Sequence, residues 1–153
     1  MSLIGQNAPD FSLLNTAREE VTLSELRGQK VVLAFFPAAF TGVCEKELCT
    51  FRNSLADMNA LGGTILGISV DSPFANQAFA TKNEINFPIL SDYTRSTVNA
   101  YGIAFENFAG MAGYIAANRA VFVVDQTGSV TYEWIAPNLG TEPDYAAVQA
   151  ALG

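Results

Sequence analysis

The chain has 153 residues, half of them hydrophobic and 15% charged, which suits the core of one domain and argues against disorder. A net charge of -7 with eight basic residues argues against nucleic acid or an anionic membrane as partner, and no apolar run approaches the roughly 18–20 residues that span a bilayer. The absence of histidine removes Ser-His-Asp and Cys-His catalysis, histidine-held haem and imidazole zinc sites, and two cysteines cannot close a structural zinc tetrahedron.

The first residues, MSLIGQNAPDFSLLN, carry no basic n-region and no long apolar stretch, so the expected location is the cytoplasm, where free thiols survive. From FSLLN to EVTL the chain reads as a short hairpin turning around Asn15–Glu20. TLSELRGQ has a capping-box pattern, Thr22 to Glu25, and stops at Gly28, which predicts one helical turn. The run Val31–Phe36 is continuously apolar and reads as a strand buried on both faces. After it, Leu48, Phe51, Leu55, Met58 and Leu61 recur at helical spacing until Gly62–Gly63 ends the pattern.

Thr64–Val70 is a second buried strand, followed by a helix capped by Asp71 or Ser72 with Pro73 in its first turn. FPILSD is a short extended segment, and RSTVNAYG a short helix stopped by Gly102. Ala120–Val124 and Ser129–Ile135 form a hairpin about Asp125–Gly128, and EPDYAAVQAALG closes the chain as a helix. With no linker or repeat, these elements predict one α/β domain with a mixed central sheet flanked by helices.

Both cysteines lie in one stretch, FFPAAFTGVCEKELCTFRN. Cys44 follows the first buried strand and falls in or near the first turn of the long helix. There, unpaired backbone N–H groups and the positive helix end favour a thiolate, the nucleophilic form of the side chain. Thr41, three residues earlier, can aim its hydroxyl at the sulfur or at a bound oxygen. Pro37 shapes the loop. Glu45 and Glu47 suit a helix start but oppose a thiolate, so a cation is expected nearby. Of the arginines, Arg18, Arg27, Arg52 and Arg95 sit in polar surroundings, whereas Arg119 immediately precedes the buried run AVFVVD. A guanidinium at the mouth of a buried strand needs a partner or a task, which places Arg119 beside Cys44.

These residues resemble the peroxiredoxin family. PAAFTGVC fits its pattern of Pro, three residues, Thr or Ser, two residues, Cys; Glu47 matches a common family carboxylate; FPILSD and Arg119 before AVFVVD match further family segments. Within the family the chain is most similar to the single-domain bacterioferritin-comigratory and AhpE-like branch. The resemblance implies a thioredoxin-like fold with an N-terminal hairpin extension and reduction of H2O2 or organic hydroperoxides. Cys44 attacks the distal peroxide oxygen, while Thr41, the Cys44 amide and Arg119 bond to the oxygens as the O–O bond lengthens. Pro37 shields the resulting sulfenic acid.

The resemblance also makes Cys49 the resolving thiol. On an intact helix, residues five apart have Cα atoms about 8–9 Å apart and side chains about 140° apart. A disulfide needs under ~7 Å, so the first turns of the helix must unwind for Cys44 and Cys49 to join. Leu48 and Phe51 should set the cost of that unwinding. The expected reductant is a thioredoxin- or glutaredoxin-like protein, with no cofactor and no metal. Aromatic residues near Phe40, Phe74 and Phe105–Phe108 lean the assembly toward a homodimer. Three other readings stay open: resolution by an external thiol, a non-enzymatic redox sensor, and general thiol–disulfide exchange, which the lack of a C-x-x-C motif disfavours.

Overall fold

The computed structural model describes residues 2–153. Strands β1 (Ser12–Leu14) and β2 (Glu20–Thr22) pair antiparallel. The turn between them is held by Asn15, whose Oδ1 accepts the Ala17 and Glu19 amides at 2.9 and 3.0 Å. The expected helical turn is present as a 3-10 turn over Leu23–Leu26, but the capping box does not form. Thr22 shares its hydroxyl with Ser12 across the hairpin at 2.7 Å, and Asp10 Oδ1 accepts the Ser24 amide at 2.9 Å instead. A partner fourteen residues away in sequence thus supplies the side-chain cap of this turn, through the Ser24 amide rather than the Glu25 amide that the capping box assigns to Thr22.

The central strands follow the apolar runs. They are β3 (Lys30–Phe35), β4 (Gly63–Ser69) and β5 (Ile89–Ser91), all parallel. Helices α1 (Gly42–Ala60) and α2 (Pro73–Lys82) connect them, and α3 (Ser96–Ala100) follows β5. Gly62, at φ +82°, supplies the left-handed turn that ends α1. Ser72, not Asp71, caps α2 by accepting the Ala75 amide at 3.2 Å.

A two-stranded ribbon, β6 (Ala104–Phe105) with β7 (Ala116–Ala117), was not expected from the sequence; strands of two residues leave no periodicity to read. The chain then forms the hairpin β8 (Ala120–Val124) and β9 (Val130–Ile135), and ends in α4 (Tyr145–Leu152). The seven-stranded sheet runs β2-β1-β5-β4-β3-β8-β9, with β8 antiparallel to β3.

Both faces of β3 are buried, as its unbroken hydrophobicity implies. Val31, Leu33 and Phe35 enter one core with Tyr101 and Phe122, while Val32, Ala34 and Phe36 enter the other with Leu48, Phe51 and Met58 of α1. Leu61, counted on the buried face of α1 from spacing, is 39% exposed, because it is the C-terminal cap where the chain turns away. Among the described residues no helix is long and apolar enough to cross a membrane.

Candidate active site

The site lies beyond the carboxyl ends of β3, β4 and β5, where an α/β sheet opens a crevice. β3 delivers Phe36 and Pro37 into the loop that enters α1, and Thr41 is the N-terminal cap residue of that helix. Phe40, in the left-handed region at φ +65°, turns the loop outward, with its ring edge-on to Phe79 at 5.5 Å. Thr41 does not cap the helix with its side chain; its hydroxyl donates to the Ala38 carbonyl at 2.9 Å. The hydroxyl proton is therefore committed to the loop, and Oγ1 keeps lone pairs free to accept a bond.

Cys44 sits in the first turn of α1, fully buried. Arg119 reaches it from the start of β8. The antiparallel register pairs Phe35 with Ala120, which sets Arg119 level with the exit of β3. Its Nη2 donates to Cys44 Sγ at 3.4 Å, across 75 residues of sequence. Nη1 donates to Glu47 Oε1 at 2.7 Å, and Nε and Nη2 both donate to the Leu139 carbonyl, at 3.1 and 2.9 Å. Of five guanidinium hydrogens these bonds use four, leaving one on Nη1 for a ligand oxygen.

Arg119 is 2% exposed and Glu47 fully buried. Burial opposes the charge on Arg119, but Glu47 and Cys44 outweigh it and hold the guanidinium even more firmly protonated. Burial pushes the Glu47 carboxyl up to about 7, against the pull of Arg119. The cause is visible in the bonding: Glu47 Oε2 is buried with no hydrogen-bond partner among the described residues, so half of the carboxylate's solvation is not replaced.

A pocket of about 280 Å³ opens here, lined by Pro37, Thr41, Gly42, Val43, Phe108, Arg119, Leu139 and Gly140. Its walls are largely apolar, and Arg119 is its one charged group. Pro37, Thr41, Cys44, Glu47 and Arg119 are thus brought together. Cys49 is set apart. It is half-buried on the continuous helix α1, and its thiol donates to Asn83 Oδ1 at 3.7 Å. Both cysteines are free.

Sequence patterning missed Leu139, whose contribution is a main-chain carbonyl that any residue could offer. Phe108, grouped from the sequence with Phe40 and Phe74 as aromatic residues that lean the assembly toward a homodimer, is half-buried against Tyr114 at 6.1 Å and lines the pocket. Among the described residues no group of His, Cys, Asp and Glu is arranged to hold a metal.

Residues 4–133 match the AhpC/TSA family. The chain is 39% identical over 132 residues to alkyl hydroperoxide reductase E of Mycobacterium tuberculosis, which covers 84% of this chain and 82% of that one. It is 36% identical over 150 residues to a thiol peroxidase of Corynebacterium glutamicum, covering 97% and 88% of the two chains. The crystal structure of peroxidoxin BcpB from M. tuberculosis is similar at a TM-score of 0.86 and 26% identity, over 99% of this chain and 97% of that one.

Proposed function

Because the chain belongs to the AhpC/TSA family and is a peroxiredoxin, a thiol peroxidase of thioredoxin-like fold, we propose that Cys44 is its peroxidatic cysteine and that H2O2 and organic hydroperoxides are its substrates. The observation that carries this reading is the 3.4 Å bond from the buried Arg119 Nη2 to Cys44 Sγ. A thiolate accepts such a bond and gains by it.

The thiolate attacks the distal oxygen of the hydroperoxide. An S–O bond forms as the O–O bond breaks, and the leaving oxygen takes up a proton to depart as water or an alcohol. Cys44 is left as a sulfenic acid. Negative charge moves from sulfur to the leaving oxygen along this line. The remaining Nη1 hydrogen of Arg119 and the amide of Cys44 serve the developing charge, and Thr41 Oγ1 accepts the peroxide hydroxyl. Pro37 walls the pocket and Glu47 holds Arg119 in place.

Cys49 then resolves the sulfenic acid: an S–S bond forms and water leaves. A dithiol protein of the thioredoxin or glutaredoxin kind reduces the disulfide. This step demands that the first turns of α1 unwind and that the Cys49–Asn83 bond break. The intact nineteen-residue helix favours a second reading, in which an external thiol resolves Cys44 directly. Mass analysis after one equivalent of H2O2 separates the two. With Cys49 as resolver, the parent loses two hydrogens and Cys49→Ser gains one oxygen. A parent that only gains oxygen points to the external thiol. A Cys44→Ser variant that destroys hydroperoxide at the parent's rate would overturn the whole assignment.

The chain is proposed to act as one domain in the cytoplasm and as a homodimer. The 48%, 63% and 53% exposure of Phe40, Phe74 and Tyr93 supports the pairing, and sedimentation equilibrium tests it.

A further inference from the structure

A buried polar network beneath the site has no part in the chemistry described so far. Ser69 at the end of β4, Ser91 at the end of β5 and Asn76 of α2 are all 0–1% exposed. Ser69 Oγ donates to Asn76 Oδ1 at 3.0 Å and accepts the Asp71 amide at 3.2 Å. Ser91 Oγ donates to the Asp71 carbonyl at 2.6 Å, and Asn76 Nδ2 approaches that carbonyl at 3.5 Å. Buried polar groups are costly unless bonded, and here their bonds converge on the main chain of one residue.

Asp71 sends its side chain the other way. Its Oδ2 accepts the amide of Ala39 at 2.8 Å, in the loop between β3 and α1. That amide belongs to the same peptide unit as the Ala38 carbonyl, which accepts the Thr41 hydroxyl at 2.9 Å. In a trans peptide the N–H and C=O point in opposite directions. A carboxylate gripping the N–H on one side therefore fixes the carbonyl on the other. Were the unit to flip, the Ala38 carbonyl would face the carboxylate, two acceptors in opposition.

We infer that Asp71 is a positioning residue for the peroxidase reaction: it locks the Ala38–Ala39 peptide so that the Thr41 hydroxyl gives its proton to the loop and turns its oxygen lone pairs to the peroxide. The network of Ser69, Asn76 and Ser91 is the rigid mount that makes this grip exact enough to matter. The inference rests on the reading of Cys44 as the peroxidatic cysteine and of Thr41 as a peroxide contact.

The test is a double-mutant cycle in a Cys49→Ser background, which leaves one thiol. The measured quantity is the second-order rate constant for Cys44 oxidation by H2O2. Asp71→Ala should slow it by about 10- to 100-fold, the scale expected when a catalytic contact is displaced by about 1 Å. Thr41→Val, which removes the hydroxyl without removing a helix cap, should slow it by roughly 100-fold or more. Adding Asp71→Ala to Thr41→Val should then cost less than about threefold, because the two act as one unit.

Alkylation of Cys44 by iodoacetamide, which needs no oriented Thr41, should stay within about threefold of the parent across the series. Asp71→Asn keeps the size of the side chain and tolerates either peptide orientation, so it should fall between parent and Asp71→Ala, and it runs the same cycle if Asp71→Ala does not fold. Full peroxide reactivity in both Asp71 variants, an equal penalty with and without Thr41, or a parallel loss of alkylation would each overturn the inference. Failure of the underlying reading shows elsewhere, as a parent whose Cys44 reacts with H2O2 no faster than free glutathione.

Discussion

Replacing Glu47 with Gln should change how stability depends on pH, in a direction opposite to that of most paired carboxylates. Glu47 is fully buried, accepts from Arg119 at 2.7 Å through Oε1, and leaves Oε2 without a partner among the described residues. Burial outweighs the guanidinium and pushes the folded carboxyl up to about 7 from an ordinary 4.5. Between those values the folded chain binds the proton more tightly than the unfolded chain, so stability falls as pH rises from about 4.5 to about 7 and is level above. At roughly 1.4 kcal/mol per pH unit, the interval amounts to about 3 kcal/mol. Glu47→Gln keeps the size and the acceptor for Arg119 but has no proton to lose. Urea unfolding of reduced parent and variant at a series of pH values removes from the difference the titrations that do not couple to Glu47. The parent should lose about 3 kcal/mol relative to the variant between pH 4.5 and 7.5. A flat difference would refute the reasoning. So would a parent that gains with pH, as expected if the ion pair, rather than the missing partner at Oε2, dominated.

Three further outcomes follow from the same geometry. Arg119→Met removes the donor to the sulfur and the spare Nη1 hydrogen, and should lower kcat/KM for H2O2 by about 10²–10³-fold, read in a coupled peroxidase assay. Phe51→Ala opens a cavity under α1, where the ring is fully buried and edge-on to Tyr145 at 5.2 Å; it should cost about 3–5 kcal/mol in urea unfolding. In the same measurement Asp144→Ala, which removes the side-chain cap accepting the Ala147 amide at 3.1 Å, should cost only about 1 kcal/mol.

The elements nearest the site were legible because their causes are local. The apolar run of β3 and the spacing of Leu48, Phe51 and Met58 gave strand and helix in the right order, and the loop length between them set Cys44 in the first turn. Where local patterning failed, a distant partner had intervened. The capping box at Thr22 lost to Asp10 and Ser12, and Asp71, read as an alternative cap for α2, is turned toward Ala39, 32 residues earlier.

Residue order alone determined that the chain would build a mixed sheet, present a cysteine at a helix start and hold one arginine at the edge of a buried strand. Those are properties of periodicity and of neighbours a few residues apart. Arg119 was expected beside Cys44 from its place in the sequence, but only the folded arrangement decided how it reaches the sulfur and what else encloses the site. The pairing of Phe35 with Ala120 brings Arg119 to Cys44, the return from β9 supplies the Leu139 carbonyl, and enclosure on every side raises the Glu47 carboxyl toward neutrality. Strand register, main-chain acceptors and loss of solvent arise when remote segments meet, and no short stretch of sequence encodes them.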